Sequence, residues 1–145
     1  MSVRLLGNWL RVQVKKTSAV SFVVSSGVND KVDFEETAES ELTATLAAGT
    51  YTAAQMCTEL KSKLEAVGDS TYTVTYAEAT QKFTVVSNGV GGGGIFNILF
   101  LTGTNTSKTA AGLLGFDVED KSGALTYTSD NGVEKCTLTV KLVGR

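Results

Sequence analysis

The sequence predicts a β-rich α+β fold: an antiparallel sandwich or curled sheet with one amphipathic helix, about residues 53–67, packed on it. Three observations carry this. Apolar and polar residues alternate in several separate segments, the period of a half-buried strand. A single segment has helical spacing and carries a capping box. Twenty of the 145 residues are Thr, which favours pleated, half-exposed surfaces and is weak inside helices.

The elements follow in order. Residues 9–16 alternate, with Leu10, Val12 and Val14 against Arg11, Gln13 and Lys15. Residues 19–25 are β-branched and apolar on both faces. Residues 31–36 alternate again around Val32 and Phe34, and residues 41–47 place Leu42, Ala44 and Leu46 on one face. Thr52 is then a good N-cap, with Gln55 three residues on, and Tyr51 and Met56 stand at the positions of a hydrophobic staple. Ala53, Met56, Cys57, Leu60, Leu64 and Val67 form one helical stripe, and Gly68 ends the helix.

Beyond the helix, residues 70–77 and 81–88 read as a hairpin across a polar turn, with Tyr72, Val74 and Tyr76 facing one way. Residues 89–94, with four consecutive glycines, read as a flexible break. Residues 96–102 read as a buried strand, 102–109 as a loop, and 110–116 as a short helical turn closed at Gly115. Residues 124–129 and 135–143 read as the last two strands, joined through Asn131-Gly132 as a type I′ hairpin. The absence of Pro removes one common protection of strand edges, so pairing with neighbouring subunits is one way to cover them.

Length predicts one domain over 1–145, with residues 1–8 a candidate docking arm. Apolar residues at 42% and charged residues at 19% are an ordinary globular balance. With no His, His-based triads and His-containing zinc sites are excluded, and two Cys are too few for a thiolate zinc site or a dense disulfide framework. A net charge of −2 argues against a nucleic-acid partner. The run between Arg4 and Arg11 lacks the uninterrupted apolar core of a signal peptide. No stretch approaches the roughly 20 apolar residues of a membrane span. The expectation is folding in a cytosol, with no membrane partner and with both cysteines starting as thiols.

Each chemical motif has a plainer reading. The glycines at 91–94 lack the Lys and Ser/Thr of a phosphate loop and read as a loop, so no cofactor is expected. The acids between Asp30 and Glu41 sit in polar sequence and read as solvated rather than as desolvated acid–base groups. Asp117, Glu119 and Asp120 offer oxygen ligands but no twelve-residue calcium loop, and no metal is expected. Cys57 and Cys136 read as small core hydrophobes, with a disulfide as the alternative, and no His is present to activate either. Arg4, Trp9 and Arg11 are candidate partner-contact residues, against a first strand with Trp in the core. Tyr72, Tyr76 and Tyr127 read as core or cross-strand pairs rather than a sugar platform. Asn105-Thr106-Ser107 is a sequon, here read as unused.

The middle of the chain, about residues 20–130, resembles a module of tailed-bacteriophage structural proteins. The resemblance lies in an ordered set of pieces. Leu46-Ala47-Ala48-Gly49-Thr50-Tyr51-Thr52-Ala53 opens the helix. Tyr72-Thr73-Val74-Thr75-Tyr76 and Lys82-Phe83-Thr84-Val85-Val86-Ser87 follow. Leu113-Leu114-Gly115-Phe116 and Gly123-Ala124-Leu125-Thr126-Tyr127-Thr128-Ser129-Asp130 close the set. The resemblance implies a non-enzymatic virion component of tail, neck or fibre, present in several copies, with copies of itself and other virion proteins as partners. It implies a symmetric homo-oligomer, made in the bacterial host cytoplasm and carried in the virion. A capsid decoration (cement) protein and a carbohydrate- or receptor-binding module are the alternatives.

Overall fold

The computed structural model describes residues 2–5, 8–19, 21–91, 93–133 and 135–144, with 2–5, 8–19 and 135–144 described as backbone only. In chain order the elements are β1 (Ser2–Leu5), β2 (Asn8–Ala19), β3 (Phe22–Val24), β4 (Lys31–Thr37), β5 (Ser40–Thr45), β6 (Gly49–Tyr51), α1 (Ala53–Val67), β7 (Tyr72–Ala77), β8 (Lys82–Ser87), β9 (Asn97–Ile98), a 3-10 turn (Thr106–Lys108), α2 (Ala111–Leu114), β10 (Thr126–Thr128) and β11 (Lys135–Gly144). The fold is a strand-rich α+β one with antiparallel sheets and one main helix, as the patterning predicts.

Contacts group the chain into two units: Met1–Val20 with Glu134–Arg145, and the body Ser21–Val133. The first unit is an antiparallel sheet of order β1-β2-β11. Within the expected docking arm, residues 2–5 form its edge strand, with Arg4 opposite Trp9 and Ser2 opposite Arg11. The β2–β11 ladder runs from Lys135 opposite Ala19, through Cys136 opposite Ser18, to Gly144 opposite Leu10.

The body contains three small sheets, of order β3-β6, β5-β4-β9 and β10-β8-β7. Helix α1 packs on β5, β6 and β7. Its N-terminus carries the predicted capping box: Gln55 N–H donates to Thr52 Oγ1 (3.2 Å), and Thr52 N–H donates to Gln55 Oε1 (2.9 Å). The buried stripe is narrower than the sequence suggests. Ala53, Met56, Leu60 and Leu64 are buried, whereas Cys57 is half-buried and Val67 is 45% exposed. Burying Met56, Leu60 and Leu64 stabilises the packing by about 1.5–3 kcal/mol each. Tyr51, expected at the staple, donates its hydroxyl to the Ala47 carbonyl at 2.7 Å.

Phe34, Phe83, Phe96 and Phe100 are fully buried with Leu46, Ile98, Leu114 and Val85. Edge-to-face contacts link Phe34, Tyr72 and Phe96, and a second ring cluster joins Phe22, Tyr76 and Phe83. Such geometries satisfy the ring quadrupoles and add about 0.5–1.5 kcal/mol per pair beyond area burial.

Three local expectations are corrected. Residues 96–102 yield only the two-residue β9; the chain then turns, and Gly103 N–H donates to Leu99 O. Strands β10 and β11 are not hairpin partners, since β10 pairs with β8 and β11 with β2. Asn131 and Gly132 therefore form no type I′ turn. Asn131 N–H instead donates to Gly115 O, closing the left-handed end of α2, where Gly115 has φ +81°. Finally, Gly91 is a packed position. Its N–H donates to Ser70 Oγ (3.0 Å), and a Cβ there would stand 2.6 Å from Ser70 N.

Candidate functional site

The chemically distinctive feature of the body is a set of buried carboxylates on and beside β4. Asp30, Asp33 and Glu36 are only 3–4% exposed. The expectation that the acids of 30–41 are all solvated is therefore overturned for these three. Burying an unpaired carboxylate is costly, so its oxygens must find donors. Asp33 and Glu36 find them on other elements, partly in backbone N–H groups of distant loops, whereas Asp30 Oδ1 is left buried without a partner among the described residues.

Glu36 receives three hydrogen bonds. Oε2 accepts from Asp69 N–H (2.6 Å), and Oε1 accepts from Ser70 N–H (3.1 Å) and from the Tyr72 hydroxyl (2.5 Å). Burial, then the Glu36 carboxylate itself, pushes the Tyr72 hydroxyl far above its ordinary range, so it stays a donor. Two glycines make room. A Cβ on Gly68 would lie 2.3 Å from Glu36 Oε1, and one on Gly91 2.8 Å from Oε2. Gly68 thus ends α1 in an extended conformation (φ −96°), and close approach to a carboxylate is what requires glycine there.

Asp33 does the same for the loop at 100–109. Its Oδ1 accepts from Thr43 Oγ1 (2.7 Å) and Asn105 Nδ2 (2.9 Å), and its Oδ2 accepts from Asn105 N–H (2.7 Å). Glu41 accepts from Thr104 N–H and its hydroxyl, and Asp120 accepts from Leu101 N–H, Thr102 N–H and the Thr102 hydroxyl. Burial alone would raise the Asp120 carboxyl, but these hydrogen bonds outweigh it and hold the group below the usual range. The sequon residue Asn105 has its amide nitrogen engaged with Asp33 and Thr43, which fits the reading that it carries no glycan.

Asp117, Glu119 and Asp130 bring oxygens within 4.8 Å of one another. Lys121 Nζ donates to Glu119 and to Asp130, while Asp117 Oδ1 accepts from Asn131 Nδ2 (2.9 Å). Asp130 is lowered by the N–H of Asp117, against burial, and then by Lys121. Asp120, grouped with Asp117 and Glu119 in the sequence, is turned to Thr102 instead. Asp30 accepts from Gly27 N–H at 3.0 Å through one oxygen.

The tyrosines fall where the core reading places them. Tyr72 is 2% and Tyr127 9% exposed, and Tyr127 donates its hydroxyl to the carbonyls of Phe96 and Ala124. Tyr76 packs against Phe22 and Phe83. A pocket of about 250 Å³ opens between residues 94–97 and 123–125, lined by glycine, apolar side chains and Asn97, and none of these is an acid, base or nucleophile. A shallower groove of about 460 Å³ runs beside α1, with Tyr51, Gln55 and Glu59 on its walls.

Among the described residues Cys57 has no disulfide partner; burial raises its thiol pKa, and it sits in a groove with Val74 and Tyr76. The side chains of Cys136, Arg4, Trp9 and Arg11 lie outside the described residues, and with them any pairing of the two cysteines. The ladder nevertheless puts Arg4, Trp9 and Arg11 at neighbouring positions of one sheet face, Arg4 directly across from Trp9. Among the described residues no helix is long and apolar enough to cross a membrane.

What sequence reasoning missed is the clamping role of Asp33 and Glu36. For Asp33 a signal existed, because alternation puts it directly across from Thr43 in the β4–β5 pair. For Glu36 none did, because its donors lie more than thirty residues downstream. No family model matches the chain, and no curated protein matches it.

Proposed function

We propose that this chain is a non-enzymatic structural component of a tailed-phage virion, present in several copies and acting by protein–protein packing. The observation that supports it best is the use of the buried carboxylates. Asp33 and Glu36, both buried, each accept three hydrogen bonds from groups elsewhere in the chain. A general acid or base needs a free oxygen facing substrate. Here Glu36 ties residues 69–72, and Asp33 ties Asn105, to the central strand β4. The product is a rigid body with defined loop surfaces, which is what repeated packing requires. The phage assignment itself rests on the ordered resemblance across residues 20–130.

The test is particle composition. Particles from a phage that carries this chain are purified by density gradient, and peptides are quantified by mass spectrometry against the major capsid protein. A fixed copy number is the expected result. A ratio near that of the capsid protein makes it a capsid decoration protein, and a low fixed ratio places it in tail, neck or fibre. Recovery of the chain only in the particle-free fraction overturns the reading.

A further inference from the structure

Charge is divided unequally between the two units. The β1-β2-β11 unit holds seven of the chain's 13 basic residues and one acid, Glu134, for a net charge of +6. The body Ser21–Val133 holds the other six basic residues and 14 of the 15 acids, for a net charge of −8. The overall −2 conceals two strongly opposite parts.

The ladder sharpens this. Directly opposed residues in an antiparallel pair share a face, and successive residues alternate. The register therefore puts Arg4, Arg11, Lys15, Lys135 and Lys141 at positions of one face, beside Trp9. The three strands contain no Asp or Glu. On the body, Asp117 and Glu119 are exposed, and the acids Asp117, Glu119 and Asp130 share a patch in which Lys121 pairs with Glu119 and Asp130.

We propose that the basic face of the β1-β2-β11 sheet of one copy docks on the acidic body of a second copy, at the surface around Asp117 and Glu119. The contact is head-to-tail: two different surfaces meet, and in a pair one copy keeps its acidic body free and the other its basic sheet. Such a contact generates a ring if its rotation closes and a filament if it does not. A nucleic acid would meet the same basic face, but the −8 body would repel it, whereas a second copy carries its own complement. The proposal deepens the multicopy reading above. The two fail separately, since particles can contain the chain without its copies touching one another.

The experiment uses the purified full chain, with mass measured by light scattering and sedimentation. Oligomers are expected at low salt and dissociation near about 1 M salt, where the screening length falls to about 3 Å. Two charge-reversed chains are compared: Arg4→Glu/Arg11→Glu/Lys141→Glu, and Asp117→Lys/Glu119→Lys. Each alone should associate at least tenfold more weakly than the parent, and an equimolar mixture should regain a heterodimer. Circular dichroism checks that each variant folds. If the sheet variant does not, the body variant alone decides by loss or retention of association. A parent chain that is monomeric at low salt, association indifferent to salt, or variants that associate like the parent would each overturn the proposal. So would a mixture that stays monomeric, or tighter binding of a DNA oligonucleotide than of a second copy.

Discussion

Replacing Glu36 by Gln tests the carboxylate clamp most directly. The side chain keeps its size but has one accepting oxygen instead of two. If the amide oxygen takes the place of Oε1, Ser70 N–H and the Tyr72 hydroxyl keep their acceptor, and the amide N–H₂ then faces Asp69 N–H, formerly 2.6 Å from Oε2. One hydrogen bond to a charged acceptor is lost, worth about 1.5–3 kcal/mol, and the other two lose their charge assistance. The neutral side chain recovers part of this because it costs less to bury. The net expectation is a loss of about 2–3 kcal/mol, against a total of about 5–15 kcal/mol for a domain. With a urea dependence of about 1–3 kcal/mol per molar, the midpoint falls by about 1 M or more. Urea melts followed by far-ultraviolet circular dichroism measure this. A change within about 0.5 kcal/mol, the range of ordinary surface substitutions, would refute the idea that Glu36 clamps the loop. The glycines supply an internal control. Gly68→Ala should cost about 1–3 kcal/mol in the parent, because its Cβ would stand 2.3 Å from Oε1. The same change should cost much less in Glu36→Ala, where the clashing oxygens are gone.

Other expectations follow from the same geometry. Thr52→Ala removes the α1 cap and should cost about 1 kcal/mol, read as a lower urea midpoint, while Thr52→Ser should be near neutral. Asp120 and Asp130 have folded pKa values below their unfolded ones, so their stabilisation is present above the usual carboxylate range, about 4, and is lost as pH falls through the folded values. The urea midpoint should therefore drop below about pH 4, and Asp120→Asn should flatten that drop; an unchanged acid limb would contradict it. Cys57, half-buried with a raised thiol pKa, should react with a disulfide reagent several-fold more slowly than a free thiol at neutral pH, measured in a Cys136→Ser chain. Gly115→Ala should destabilise, because the position needs φ +81° and a Cβ would lie 2.4 Å from Asn131 O; thermal melting reads the effect.

Local structure was legible where local chemistry decides it. Thr52 and Gln55 announce the start of α1, and Gly115 announces the end of α2. The run of Thr and Tyr at 71–76 announces a strand whose hairpin partner follows at once. What was not legible was set by partners far away in the chain. Residues 135–143 alternate perfectly well, but alternation names a face and not a neighbour. The neighbour is β2, more than a hundred residues earlier. The apolar run at 96–102 looks like a strand because its aromatic residues are buried, yet Phe96 reaches the core from just before the two-residue β9 and Phe100 from the turn after it. The acids of β4 look solvated because nothing beside them in sequence can donate to them. Their burial depends on amides that arrive when other loops fold over.

That dependence sets an order of events during synthesis. Strand β4 is made 72 residues before Asn105, the donor that satisfies Asp33. At about 5–20 residues per second, some four to fourteen seconds separate the two on a ribosome. Through that interval the Asp33 carboxylate lacks its loop donor, and the strand cannot be sealed into its body. β2 waits longer still, because Ser18 meets Cys136 only after the whole of Ser21–Val133 has been made. A long unpaired strand on a nascent chain invites pairing with its neighbours on the same message. Arg11, Lys15 and Lys16 give the waiting β2 a like charge in every copy, which keeps the copies apart until β11 arrives.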